Sequence, residues 1–107
     1  MSKELNWTVV LDAIFAGAQL EARAGSTPVT DHQTGSQAFE EAAGQYGKAA
    51  ERFASAVALL EKAPTSENPQ LDAVRVETLA FATARAEHAK SRQEYWLDQA
   101  CKLKGRE

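Results

Sequence analysis

Cysteine is nearly missing from this 107-residue chain: Cys101 is the single one. It cannot close a disulfide within the chain or supply a cysteine-rich zinc site. Beside Lys102 near the C-terminal end it has the setting of a free surface thiol, not of a nucleophile next to a base. A reducing cytoplasm is the expected compartment. Histidine is almost as scarce. His32 and His88 are the two present, with no Glu-x-x-His pair and no second histidine one helical turn away, so neither a metal nor another cofactor is expected. There is no glycine-rich loop to cradle a phosphate and no cluster of acid, base and nucleophile. The expectation is a protein that is not an enzyme.

An excess of positive charge is also lacking. The net charge of −3 and the pI near 5.4 argue against a surface that replaces the counterions of nucleic acid. Lys102, Lys104 and Arg106 form one short basic group, diluted by Asp98 and Glu107. No apolar run suits a membrane: the richest, Trp7 to Leu20, is broken by Asp12 and Gln19 and falls short of the roughly 20 residues a span requires. Ala22-Arg23-Ala24 has the form of a signal cleavage site, but Asp12 within the apolar run and Glu4 beside Lys3 oppose a secretion signal. Neither nucleic acid nor membrane is an expected partner. Abundant alanine with sparse isoleucine, asparagine and lysine suggests a bacterial or phage gene of high GC content.

What the chain does contain is a heptad. Phe39, Tyr46, Phe53 and Leu60 recur every seven residues, followed three residues later by Ala42, Ala49 and Ala56, and then by Ala43, Ala50 and Val57. A large apolar column beside a seam of alanine is a surface that lets another helix come close. With 44% apolar and 25% charged residues the chain has the composition of one globular domain, residues 1–107.

Three helices are expected, over about residues 3–24, 36–62 and 69–104. In the first, Trp7, Leu11, Ile14 and Ala18 recur at helical spacing beside Val9, Ala13, Ala16 and Leu20, leaving a narrow polar strip. A helix apolar over most of its girth is expected to be the central element. Gly25 reads as its left-handed stop, with Pro28 preventing continuation. The polar segment 25–35 is the one substantial loop, and Thr34 with Gln37 fits a capping box. Asn68-Pro69 is an N-cap followed by proline at the first helical position, where a missing N–H is harmless. Short connections favour an all-α, antiparallel three-helix bundle with a long C-terminal helix. If Leu60 lies near Leu71 and Phe39 near Arg92, the end of the third helix, from Tyr95 to Leu103, projects beyond the second.

Gly44-Gln45-Tyr46, Ala49, Phe53, Ala56-Val57 and Pro64 resemble the second helix of a tetratricopeptide repeat. The resemblance covers roughly 20 residues and implies a turn before Tyr46, close packing at the alanines, and peptide binding on a concave helical face. Thr34 to Ala43 lacks the family's large-small-aromatic pattern, and no second copy follows at a period near 34 residues.

On the third helix Thr78, Phe81, Arg85, His88, Arg92, Tyr95 and Gln99 alternate by three and four and so share one stripe. Its first half is expected to continue a core-facing line from Leu71 and Val74, and its second half to be basic and aromatic. Arg85, His88, Arg92, Tyr95 and Trp96 are the candidate binding surface for another protein with an acidic face, because Arg, Tyr and Trp dominate interface energetics. The plainer alternative pairs Arg85 and Arg92 with Glu21, Glu40 or Glu41 across the bundle and packs Trp96 on the first helix. A homodimer or larger helical array is the second reading. Its interface would use the alanine seam or Trp7, Leu11, Ile14 and Phe15, with Gly44 and Gly47 admitting a close approach on an outer face that a lone bundle leaves uncovered. Asp72 with Arg75, Lys90 with Glu94, and Asp98 with Lys102 read as ordinary surface pairs.

Overall fold

The computed structural model of the chain describes residues 5–26, 35–63 and 67–106. Asn68 opens the longest helix as the sequence requires. Its side-chain oxygen accepts the backbone N–H groups of Gln70 at 3.0 Å and Leu71 at 3.5 Å, and Pro69 follows with no N–H to satisfy. This helix, α3, spans Pro69–Lys104; α1 spans Trp7–Ser26 and α2 spans Gly35–Lys62. Asn6 caps α1 by accepting the N–H of Val9 at 3.3 Å, so the helix begins at Trp7 and not near Lys3. At its other end α1 runs through Gly25 to Ser26. Gly25 is therefore a helical residue without positive φ, not the left-handed stop the sequence suggested. The Thr34–Gln37 capping box lies partly outside the described residues.

The heptad of α2 decides the architecture. Tyr46, Phe53 and Leu60 are buried, as are Ala42, Ala49 and Ala56 of the seam and Ala43 beside it. This wide buried face receives α1 on one flank and α3 on the other, and α2, not α1, is the central helix. Both neighbours run antiparallel to it. Val10 of α1 and Ala82 of α3 meet Ala56 and Leu60, and two turns further along Phe53 and Ala49 meet Ala89, with Ile14 and Leu20 packed around them. The molecule is a rod of 59 × 20 × 20 Å with a radius of gyration of 17.3 Å, against roughly 13 Å for a compact domain of this length.

Small residues set the helix spacing. A Cβ on Gly17 would stand 2.9 Å from the Phe53 ring, so the glycine is a notch into which the phenylalanine fits. On α3 the buried residues are Ala82, Ala89 and Ala100, which lets its backbone approach α2 closely. That choice of face rotates the large residues outward. Leu71, Val74 and Phe81, expected to face the core, are about half exposed.

The register also differs from the expected one. Arg75 donates to the Leu60 carbonyl at 3.4 Å, Phe39 packs against Trp96, and Leu103 reaches Gly35. Each contact lies further along α3 than the expected pairing of Leu60 with Leu71, so α2 covers α3 almost to its end and Trp96 and Leu103 do not overhang. The short element is α1, a helix of 20 residues beside partners of 28 and 36.

Helix α2 is continuous through both glycines, which removes the turn before Tyr46 that the tetratricopeptide resemblance implied. Gly47 has a partner within the chain, since a Cβ there would meet the Gln93 side-chain nitrogen at 2.5 Å. Gly44 faces open space, with no described residue within 4 Å of where its Cβ would lie. Gly44→Ala is therefore expected to stabilise the protein by about 0.5–1 kcal/mol through helix propensity alone. Gly47→Ala should gain less, because the Gln93 amide must move aside. Urea unfolding of the two variants measures the difference directly.

Candidate functional site

The row Val74, Thr78, Phe81, Arg85 runs along one flank of α3 at the three-and-four spacing of a helix ridge. Its place is fixed by Arg85, whose guanidinium pairs with the Glu21 carboxylate of α1 and lies 5.9 Å over the Phe53 ring. On α1 the corresponding row is Leu11, Ile14, Ala18 and Glu21, with Phe15 beside it. The Glu21–Arg85 pair brings the ends of the two rows together across the corner between α1 and α3. Although both helices pack closely on α2, their backbones barely approach one another.

Apolar side chains border this corner without being covered. Phe15 is 64% exposed and Phe81 53%, with Leu11 and Val74 close to half exposed. In a closed three-helix bundle such residues would turn inward. Here the alanine and glycine contacts that draw α1 and α3 onto α2 leave them pointing out. Trp7 and Ile14 are partly buried and pack against the cluster around Val10 and Leu60. Of the four apolar residues of α1 singled out from sequence, two therefore belong to the core and two to the surface.

Further along α3 the flank becomes aromatic and basic. Arg92 has its guanidinium carbon 5.1 Å from the Tyr95 ring centre, 5.6 Å from that of Trp96 and 5.9 Å from that of Tyr46. Tyr95 and Trp96 meet edge to face at 5.1 Å. Trp96 also lies 5.0 Å from Phe39, so it packs on α2 and not on the first helix. Its indole N–H is buried and has no acceptor among the described residues. Tyr95 and His88 are exposed. Of the five candidate partner-binding residues, Arg85 is thus engaged in an ion pair, Trp96 in packing, and Arg92 in a ring cluster.

Among the described residues no group of three or more histidines, cysteines, aspartates or glutamates is placed to hold a metal ion. A cleft of about 400 Å³ is lined by Leu20, Lys48, Glu51, Arg52 and Ser55 on the outer side of α1 and α2. The Ser55 hydroxyl there donates to the Glu51 carbonyl at 3.0 Å, one turn back in its own helix. No described helix is long and apolar enough to cross a membrane. No protein-family model, curated protein or solved structure matches the chain.

Of the sequence-level pairs, Asp72–Arg75 forms at 3.1 Å and Asp98–Lys102 at 2.9 Å. Lys104 pairs with Glu40, and the expected link from Arg85 to Glu21 is present. Sequence reasoning missed Gly17. A glycine inside an apolar helix is a signal for close approach, and it pointed here to the seat of Phe53.

Proposed function

We propose that this chain is a non-enzymatic protein-binding module, an adaptor, inhibitor or small assembly subunit, whose docking surface is the open corner between α1 and α3. One observation carries the reading: the corner is bordered by the exposed Leu11, Phe15, Val74 and Phe81. Large exposed apolar side chains gathered at one corner suit a contact site. A helix laid between the two rows would complete a four-helix bundle with the usual spacing of 8–10 Å between axes. The exposed free thiol of Cys101 supports a reducing compartment, the cytoplasm.

A second reading is a homo-oligomer formed through α1. The exposure of Leu11 and Phe15 favours it, whereas the alanine seam is already consumed inside the chain. The double substitution Phe15→Glu and Phe81→Glu tests both. Affinity capture from the native host is expected to retain a partner with the wild type and lose it with the variant; equal capture by both would overturn the proposed surface. Light scattering behind size exclusion should find the wild type monomeric. A wild-type dimer that becomes monomeric in the variant would establish the oligomer in its place.

A further inference from the structure

Three arginines lie partly buried on the packing side of α3: Arg75, Arg85 and Arg92. A guanidinium withdrawn from water is stabilised mainly by an anion. Arg75 has Asp72 and Arg85 has Glu21. Arg92 has no carboxylate among the described residues. The acids that pair with cations nearby are committed elsewhere: Glu40 to Lys104 and Asp98 to Lys102. His88, one turn back on α3, supplies no negative charge. The rings of Tyr46, Tyr95 and Trp96 surround the Arg92 guanidinium at 5.1–5.9 Å. Ring faces attract the cation, but they offer no hydrogen-bond acceptor to the N–H donors in the guanidinium plane.

We propose that Arg92 is a docking point for a carboxylate carried by the partner protein, gripped by the guanidinium fork while the three rings hold its plane. The inference rests on the protein-binding reading and adds to it the partner's chemistry. An acidic group should lie at the Arg92 end of the corner, with apolar side chains against Phe15 and Phe81. The rings restrict the arginine before binding, so less freedom is lost when the carboxylate arrives, and a planar fork suits two oxygens better than an ammonium does. The carboxylate could belong to an acidic side chain or to a chain terminus.

The buried Trp96 indole N–H, in contact with the same cluster, is a reporter for nitrogen–proton NMR, and Trp7 is an internal reference. The probes are an end-capped tetraglutamate peptide with side-chain carboxylates only, an acetylated tetra-alanine peptide with a terminal carboxylate only, and inorganic phosphate. We expect a saturable shift of the Trp96 resonance with Kd in the millimolar range for a carboxylate peptide, with Trp7 unmoved. A response to one peptide alone identifies the source of the carboxylate. Arg92→Met should abolish the shift, and Arg92→Lys should weaken it several-fold. The Lys variant serves as the readout if the Met variant does not fold.

A wild-type protein silent to both peptides, a response to phosphate alone, or an undiminished response in Arg92→Met would overturn the assignment. Partner capture that survives Arg92→Met but is lost with Phe15→Glu and Phe81→Glu would remove this inference and leave the protein-binding reading standing.

Discussion

Phe53→Ala is expected to lower the unfolding free energy by about 3–5 kcal/mol, among the largest losses open to a single substitution in this chain. The ring is 1% exposed and fills the notch above Gly17, against Ala49 and Ala89, with the Arg85 guanidinium over its face. Its removal leaves a void that all three helices line, and none can collapse into it without losing contacts elsewhere. For a domain of this size the melting temperature should fall by on the order of 15 °C or more. The loss is a large part of a total stability of about 5–15 kcal/mol, so Phe53→Leu, a smaller truncation with an expected loss of about 1–2 kcal/mol, keeps the test readable if the alanine variant does not fold. Thermal unfolding followed by circular dichroism measures both. A loss under about 1 kcal/mol for Phe53→Ala would mean that the helices are not stacked around this ring.

Arg85→Ala is the second large effect. Glu21 keeps only 10% of its side-chain exposure, and one of its oxygens already lacks a partner. Taking away the guanidinium strands a nearly buried carboxylate and uncovers the Phe53 ring. Arg85 itself remains 38% exposed, so water screens the pair and the expected loss sits at about 2–3 kcal/mol, toward the lower end for such pairs. The diagnostic is the double substitution. Glu21→Met with Arg85→Met removes both charges and restores apolar volume, and it should recover most of what the single arginine substitution loses. A double-mutant cycle by urea unfolding yields the coupling energy; additive losses would show that the two side chains act independently.

The contrast between these residues shows which features were legible in the sequence. Phe53 belongs to a heptad column with alanines beside it, and a seven-residue period on a helix maps directly onto one face. The buried status of Tyr46, Phe53, Leu60 and the alanine seam is the result. Asn68-Pro69 was equally legible, because capping is a local hydrogen-bonding problem solved within four residues. Helix α3 was harder to read. Its leucine, valine and phenylalanine at 71, 74 and 81 mark an apolar line, yet the line that packs is Ala82, Ala89 and Ala100. Size pointed to one face and closeness of approach selected another, and only a partner helix makes that choice. The same holds for the candidate site, where Arg85 and Arg92 look alike in a list of helical neighbours. One found Glu21 across the bundle, and the other is enclosed by rings.

By itself the sequence determined three helices, their direction and the face of α2. These follow from spacing, capping and composition, which act over a few residues. Tertiary structure decided that α2 is central, that Gly17 and Gly47 are close-approach points while Gly44 is open, and that the corner between α1 and α3 is left uncovered. The physical reason is that helix spacing and rotation depend on how pairs of surfaces interlock. A periodic pattern shows which residues share a face, but the neighbouring helix determines which of the available faces is buried.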